Sequence, residues 1–140
     1  MREIRFRGRD VYTGEWVFGN YCKAELLNGE GFEHFIIEVG KDGRTSKVEP
    51  ETVGQYIGLR DMTGRPAYEG DITEGPDERW WVIYWSPGGF GTCRVKEFAN
   101  GNGLRLHEEL GSLQNSAWFM QNHKIVGNIH DNPAFLEEHR

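Results

Sequence analysis

The sequence predicts a mainly β domain built from short antiparallel strands. Of its 140 residues, 13% are aromatic and 19 are glycine, which is typical of many short strands joined by tight turns. A clear helix signal occurs only near the C-terminal end, where Asn132 can cap a helix and Pro133 suits its first position. We therefore expect an all-β or β-rich α+β fold, with a barrel-like or sandwich core and one short C-terminal helix.

The strands are predicted in order from apolar runs separated by turns. Ile4 and Phe6 alternate with arginines, at the period of two expected for a half-buried strand. Later runs predict strands over residues 15–23, 32–39, 47–55, 67–72, 79–85, 90–95 and 123–130, with turns that include residues 61–64 and 99–103. Pro50 places a bend or an edge in the 47–55 run. The length fits one domain over residues 1–140, or two small lobes, about 1–60 and 61–140, that share a core.

The segment RWWVIYW, residues 79–85, is apolar on both faces of its predicted strand. Trp80 points to one face, whereas Trp81 and Trp85 point to the other. A strand of this kind is either buried between two layers or presents one face to another subunit. Both alternatives stay open, and the three tryptophans are candidate binding residues.

The charge and hydropathy of the chain disfavour nucleic acid and membranes as partners, and its N-terminus and cysteines predict a cellular compartment. The net charge of −6 repels phosphates and anionic lipid surfaces, and no apolar run is long enough to span a membrane. The first residues are charged where a signal peptide would be apolar. Cys22 and Cys93 show no spacing motif, so we expect reduced thiols in a cytoplasmic protein and no membrane partner.

The N-terminal arginines are the strongest signal for nucleic acid. Arg5, Arg7 and Arg9 are predicted to project from one strand face, where exposed aromatic residues could complete a groove for phosphates and bases. Alternatively, these arginines protect a strand edge or pair with the surplus acids of the chain. The second interpretation is favoured.

Catalytic and metal-binding patterns are scarce. The histidines lack ligand-pair spacing, and neither cysteine nor any serine stands in a nucleophile motif. Glu69 and Asp71 would share one strand face and could share a proton or hold a divalent ion. Gly70 between them favours a bulge or turn in which an acid bonds backbone amides. We expect no enzyme activity, no metal and no cofactor.

Three blocks of sequence, in order, resemble the YopX family of phage and prophage proteins. They are MREIRFRGRDVYTGEWVFG at the start, VEPETVGQYIGLRDMTGRPAYEGDI in the centre and IVGNIHDNPAFLEE near the end. The central block carries the most specific positions, which we expect to be structural: Gly54, Tyr56, Gly58, Asp61, Gly64, Tyr68, Glu69, Gly70 and Asp71. The resemblance is weakest over residues 73–124, and it departs from the family pattern at residues 66–67, 73 and 130. It implies a small, mainly β protein with no catalytic residues to transfer.

Together these observations predict a non-catalytic, phage-derived interaction protein. We expect it to form a homo-oligomer and to bind a host or phage protein, because aromatic residues are abundant and no catalytic motif is evident. The alternative is a nucleic-acid-binding small β-barrel that uses the N-terminal arginines and exposed aromatic residues.

Overall fold

The fold is mainly β, as the sequence predicted. A computed structural model describes residues 3–40, 42–86, 89–95 and 113–138. Within these ranges the strands are β1 (Phe6–Arg9), β2 (Trp16–Glu25), β3 (Phe32–Ile37), β4 (Thr45–Lys47), β5 (Gly54–Arg60), β6 (Pro66–Tyr68), β7 (Asp71–Glu74), β8 (Trp80–Ser86), β9 (Gly89–Arg94) and β10 (Lys124–Asn128). Two α-helices, α1 (Leu113–Gln121) and α2 (Pro133–Glu138), and a 3-10 turn at Pro50–Thr52 accompany them.

The strands form two open sheets. A six-stranded sheet has the order β4-β3-β2-β1-β5-β6, and a four-stranded sheet has the order β10-β7-β8-β9. Neither order closes on itself within the described ranges, so the barrel alternative is not supported there. The chain divides after Tyr56 into two compact units, here called unit 1 and unit 2, and β5 begins in the first and ends in the second.

Unit 1 consists largely of two consecutive hairpins. Strand β1 pairs with β2, and β2 pairs with β3 from Asn20 opposite Ile37 to Glu25 opposite Phe32. Its most buried apolar side chains are Ile36 and Val48, both at most 1% exposed.

Unit 2 packs apolar residues against both faces of β8. On one face, Trp81 and Ile83 join a cluster with Phe119 and Met120 of α1. On the other face, Trp80 and Val82 join a cluster that includes residues 135–136 of α2. Of the two alternatives for the RWWVIYW segment, the described contacts therefore show burial between two layers.

Some elements differ from those predicted. The predicted 67–72 strand is two strands, β6 and β7, because Gly70 adopts φ +93° in the turn between them. The 47–55 run is likewise divided at Pro50, which begins the 3-10 turn. Helix α1 was not predicted, whereas α2 begins at Pro133 as expected. The turn predicted at 99–103 lies outside the described residues.

Candidate functional site

Asp61 is the polar centre of the most specific sequence block. Its Oδ1 accepts hydrogen bonds from the backbone N–H and hydroxyl of Thr63, at 2.8 and 2.6 Å, and from the Arg65 N–H at 2.9 Å. Its Oδ2 accepts from the N–H of Ile125 in β10 at 2.8 Å. The backbone adds a bond from the Met62 N–H to the His123 carbonyl at 2.9 Å. Asp61 therefore closes its own turn and also ties that turn to β10.

The environment of Asp61 favours its ionised form. Burial raises the pKa of the Asp61 carboxyl, but the hydrogen bonds from Ile125, Thr63 and Arg65 outweigh burial and lower the pKa below its ordinary value. A carboxylate that accepts several backbone N–H groups is stabilised in this way without a cation. Asp61 therefore has a structural role in the turn that the sequence predicted over residues 61–64.

The paired acids Glu69 and Asp71 occupy the turn between β6 and β7. Asp71 is only 1% exposed, and its Oδ2 accepts a hydrogen bond from the Tyr68 N–H at 2.8 Å. Glu69 is half-buried. Gly70 donates its N–H to the Ile83 carbonyl at 2.7 Å and accepts from the Ile129 N–H at 2.9 Å. These contacts favour the structural interpretation of the two acids, with Asp71 bonding a turn amide.

The other residues of the central block also support backbone geometry or packing. Gly58 and Gly64 have positive φ, and Gly64 donates to the Asp61 carbonyl at 3.0 Å. Gly54 is buried opposite Arg7 of β1. Tyr56 is 8% exposed and Tyr68 is 3% exposed. None of these contacts resembles a catalytic arrangement.

The three N-terminal arginines are packed against aromatic rings. The guanidinium carbons of Arg7 and Arg9 lie 4.6 and 5.2 Å from the centre of the Trp16 ring, and that of Arg5 lies 5.7 Å from the Tyr56 ring. Arg7 is only 4% exposed. Arg5 also pairs with Glu3, at 3.6 Å between the charged groups. The arginines thus lie beside aromatic residues, but they contact those rings and Glu3 within unit 1, and Arg7 is buried.

Two tryptophans of β8, Trp80 and Trp81, pack within unit 2. The Trp80 ring lies 4.2 Å from that of Phe135, and its Nε1 donates to Glu74 at 2.8 Å. The Trp81 ring meets Phe119 edge-on at 5.4 Å. Trp85 pairs through its backbone with Phe90 of β9, and its side chain lies outside the described part of the chain.

His123 is a buried histidine that the sequence did not single out. Its Nδ1 donates to the Phe119 carbonyl at 2.6 Å, and its ring stacks on the Phe119 ring at 3.6 Å. Burial lowers the pKa of His123 below its ordinary value, against the opposing effects of the Phe119 hydrogen bond and the Asp77 charge. Across the described ranges, no three His, Cys, Asp or Glu side chains lie close enough to hold a metal ion.

Unit 1 contains an open groove of about 520 Å³ with a mixed polar and apolar lining. The groove is lined by Glu3, Ile4, Arg5, Phe18, Gly19, Asn20, Glu38 and Val39. Its apolar members remain accessible, with Ile4 at 57%, Phe18 at 43% and Val39 at 71% exposed. Gly19 is required in its floor, because a Cβ there would collide with the Ile37 carbonyl oxygen. The alternation of apolar and polar residues predicted strands here, but it could not show which sheet face stays exposed to solvent.

The loop between β2 and β3, residues 26–31, is called the tip here. Leu27 at the tip is fully exposed, at 109% of its reference area. The loop is nevertheless ordered by hydrogen bonds from the Leu26 N–H to the Gly31 carbonyl at 2.8 Å and from the Gly29 N–H to the Leu26 carbonyl at 2.9 Å. Phe32, directly after the tip, is 50% exposed and lies 4.6 Å from the Lys23 ammonium. The tip therefore holds one leucine out into solvent on a defined loop.

The protein is mainly β, with two open antiparallel sheets, short helices and a core on both faces of β8. The described residues contain no evident catalytic centre. The chain matches the family model described as YopX protein over residues 5–137, and it therefore belongs to the YopX family. The crystal structure of protein EF1440 from Enterococcus faecalis is similar, with a TM-score of 0.54 and 21% identity over 97% of this chain and 99% of that chain. At this identity the likeness shows the fold alone. No curated protein was found to match the chain.

One further finding concerns membranes. Among the residues that the structure describes, no helix is both long and apolar enough to cross a bilayer.

Proposed function

We propose that the chain is a non-catalytic protein-interaction module of phage or prophage origin that works as a homo-oligomer. The observation that carries the proposal is the set of exposed apolar side chains in unit 1. Those of unit 1 are Ile4, Val11, Tyr12, Phe18, Leu27, Phe32 and Val39, whereas those described in unit 2 are Met62 and Trp118. Single exposed apolar residues are common on protein surfaces, but a concentration of them is typical of a binding surface.

The non-catalytic part of the proposal is supported by how two acids of the central block are used. Asp61 accepts four hydrogen bonds from its turn and β10. Asp71 is buried and bonds a turn amide. An acid held in this way is poorly placed to exchange protons with a substrate.

The proposed setting is the bacterial host cytoplasm. Cys22 is a free and exposed thiol in unit 1, and such a thiol persists in a reducing compartment. A host or phage protein could bind the same apolar surface as a second partner, in addition to further copies of the chain.

Nucleic acid binding is the second candidate function. Its support is the placement of Arg7 and Arg9 against Trp16 on one sheet face. Proteins that bind single-stranded nucleic acid combine cations and aromatic rings in this way. Against it stand the burial of Arg7, the pairing of Arg5 with Glu3 and the net charge of −6. Fluorescence anisotropy with short DNA and RNA at about 50 and about 200 mM salt separates the two functions, because phosphate contacts weaken steeply over that range.

Sedimentation velocity over a concentration series tests the proposed function directly. We expect the mass to rise above the 16.1 kDa of one chain as the concentration increases from about 1 to about 200 µM, a range that covers micromolar dissociation constants. Trp118→Ser, which removes an exposed apolar side chain from unit 2, is the matched control and should associate like the wild type. A mass of one chain at every concentration would remove the homo-oligomer from the proposal.

A further inference from the structure

We propose that the turn between β7 and β8, residues 75–79, is a pH-sensitive lid over the ring of His123. When His123 takes up a proton the lid opens, and opening exposes the apolar cluster between α1 and β8 to water. The switch lies within unit 2 of a single chain. It therefore goes beyond the proposed function and does not depend on the homo-oligomer.

His123 lies at the junction of α1, β8 and the lid. Its ring stacks on the Phe119 ring at 3.6 Å and meets the Trp81 ring edge-on at 6.4 Å. On the third side, a Cβ at Gly75 would collide with Nε2, so the ring lies directly against the lid backbone. His123 is only 6% exposed. Water reaches the whole ring only when one of these three elements moves.

The two ring nitrogens of His123 have different surroundings. Nδ1 donates to the Phe119 carbonyl, one of the last carbonyls of α1, at 2.6 Å and so caps the helix. In the neutral ring Nε2 is then the acceptor, and it is the atom that takes up a proton. Within the described ranges Nε2 makes no hydrogen bond, and Gly75 lies in front of it. Protonation therefore places a buried cation and an unsatisfied donor under the closed lid.

The acids of the lid do not offset this cost while the lid is closed. The charge of Asp77 favours the protonated ring, but burial outweighs it and lowers the pKa of His123. Arg79 occupies both oxygens of Asp77, through its backbone N–H at 3.2 Å and its side chain at 3.4 Å. Glu78 is exposed.

The charged groups of the other neighbouring elements are paired elsewhere. In the 61–64 turn, the Oδ2 atom of Asp61 accepts from the Ile125 N–H at 2.8 Å. In β10, Lys124 pairs with Glu74 at 3.6 Å. The sequences of α1 and β8 contain no charged residue. The lid is therefore the element whose position decides whether His123 can be protonated.

The lid is also the element best suited to move. Residues 76–79 are exposed, and the turn is closed by the Gly75 N–H, which donates to the Arg79 carbonyl at 3.2 Å, and by the Glu78 N–H, which donates to the Gly75 carbonyl at 3.0 Å. Glu78 has a φ of 61°, which is unfavourable for a residue with a side chain. By contrast, α1 is packed through Phe119 and Met120. Exposed turns with few buried contacts open locally before packed elements do.

The direction of the switch follows from the two protonation equilibria. An open lid restores the ordinary histidine pKa of about 6.5, so the open state binds the proton more readily than the closed state. The closed lid is fully favoured above about pH 6.5 and loses stability as the pH falls below that value, down to the lower pKa of the closed state. One proton shifts the equilibrium by at most about tenfold per pH unit.

Amide hydrogen exchange, followed by NMR on the full chain between about pH 5 and about pH 8, tests the switch. After correction for the intrinsic pH dependence of exchange, the protection of the Gly75 and Glu78 amides should fall by up to about tenfold per pH unit below about pH 6.5. The Tyr56 amide, which donates to the Arg5 carbonyl at 2.7 Å in unit 1, is the internal control and should keep its protection. Constant protection in the lid while His123 titrates would overturn the proposal. An equal loss at Tyr56 would also overturn it, because the whole chain would then be unfolding.

Two variants test the contact between lid and ring. Gly75→Ala places a Cβ against Nε2, so the Glu78 amide should be poorly protected at every pH and the midpoint of the His123 ring should rise toward about 6.5. His123→Gln removes the titrating group, so protection of the lid should no longer change over this pH range. A protected lid with an unchanged midpoint in Gly75→Ala contradicts the proposal, and so does a pH-dependent lid in His123→Gln. If a variant does not fold, the exchange profile of the wild type alone decides.

Discussion

At the scale of residues, Asp61 links its own turn to a distant strand. Its carboxylate joins a four-residue turn to a strand 64 positions away in the sequence. The sequence predicted the turn because Asp61, Gly64 and the residues between them suit one. It could not predict the bond to Ile125, since nothing in local pattern specifies which distant N–H a carboxylate will meet.

Replacing Asp61 with Asn should lower the free energy of unfolding by about 2–4 kcal/mol. The amide that replaces one oxygen is a donor, so it leaves a buried N–H without an acceptor, and the charge-assisted bonds are lost. Urea denaturation at neutral pH measures the change. Asp42→Asn is the matched control, because Asp42 is exposed and Asn tolerates its positive φ of 58°. Equal stability of the two variants would contradict the role given to Asp61.

The stability that Asp61 contributes should depend on pH. Because the pKa of Asp61 is lowered in the folded chain, the unfolded state binds the proton more readily as the pH falls. The contribution is therefore fully present above the unfolded pKa of about 3.9 and is lost as the pH falls through the lower folded pKa. The difference in unfolding free energy between wild type and Asp61→Asn should shrink between about pH 5 and the folded pKa, and a constant difference would contradict this assignment.

His123 should remain neutral at a pH where an exposed histidine is half protonated. Burial against Phe119 lowers the pKa of His123, so protonation favours the unfolded state and stability falls as the pH drops below about 6.5. A ring-proton NMR titration should give a midpoint for His123 below the ordinary histidine value of about 6.5. A midpoint at or above the ordinary value would show that the ring is more open to solvent than its contacts indicate.

At the scale of elements, the residue pattern of β8 predicted a strand with two apolar faces but not the elements that pack against them. The run from Trp80 to Ser86 was predicted as a strand with two apolar faces, but its partners could not be identified. One partner is α1, whose sequence LQNSAWFMQ has contiguous apolar residues and several weak helix formers, so it lacks a clear period of 3.6. Tertiary packing of Phe119 and Met120 stabilises this helix more than its intrinsic propensity does.

Truncating either tryptophan on the two faces of β8 should destabilise unit 2. Trp80→Ala and Trp81→Ala should each cost about 3–5 kcal/mol, because each removes a large side chain from a packed cluster. Trp118→Ala, at 65% exposure, is the control and should change stability by less than about 0.5 kcal/mol. Thermal or urea unfolding measures all three. If the β8 variants keep full stability and lose only self-association, β8 is a subunit interface after all.

At the scale of the whole molecule, composition predicted the mainly β class but not the distribution of the apolar surface. Aromatic residues and glycines indicated short strands and turns, and the two sheets confirm that class. The accessible apolar residues of unit 1 come from β2, from β3, from the tip and from the chain beside β1 and β3, and the pairing of the strands decides which of them stay exposed. The YopX family match agrees with the three sequence blocks that resembled that family.

Hydrogen–deuterium exchange in dilute and concentrated solution tests most directly whether unit 1 is the binding surface. Raising the concentration should slow amide exchange in peptides that cover residues 18–20, 26–32 and 38–39, because exposed apolar side chains of unit 1 become covered. Exchange in peptides of β8 should stay the same, because both of its described faces are packed within unit 2 in every copy. Slower exchange in β8 with no change in unit 1 would contradict the account and place the interface on the tryptophan-rich strand.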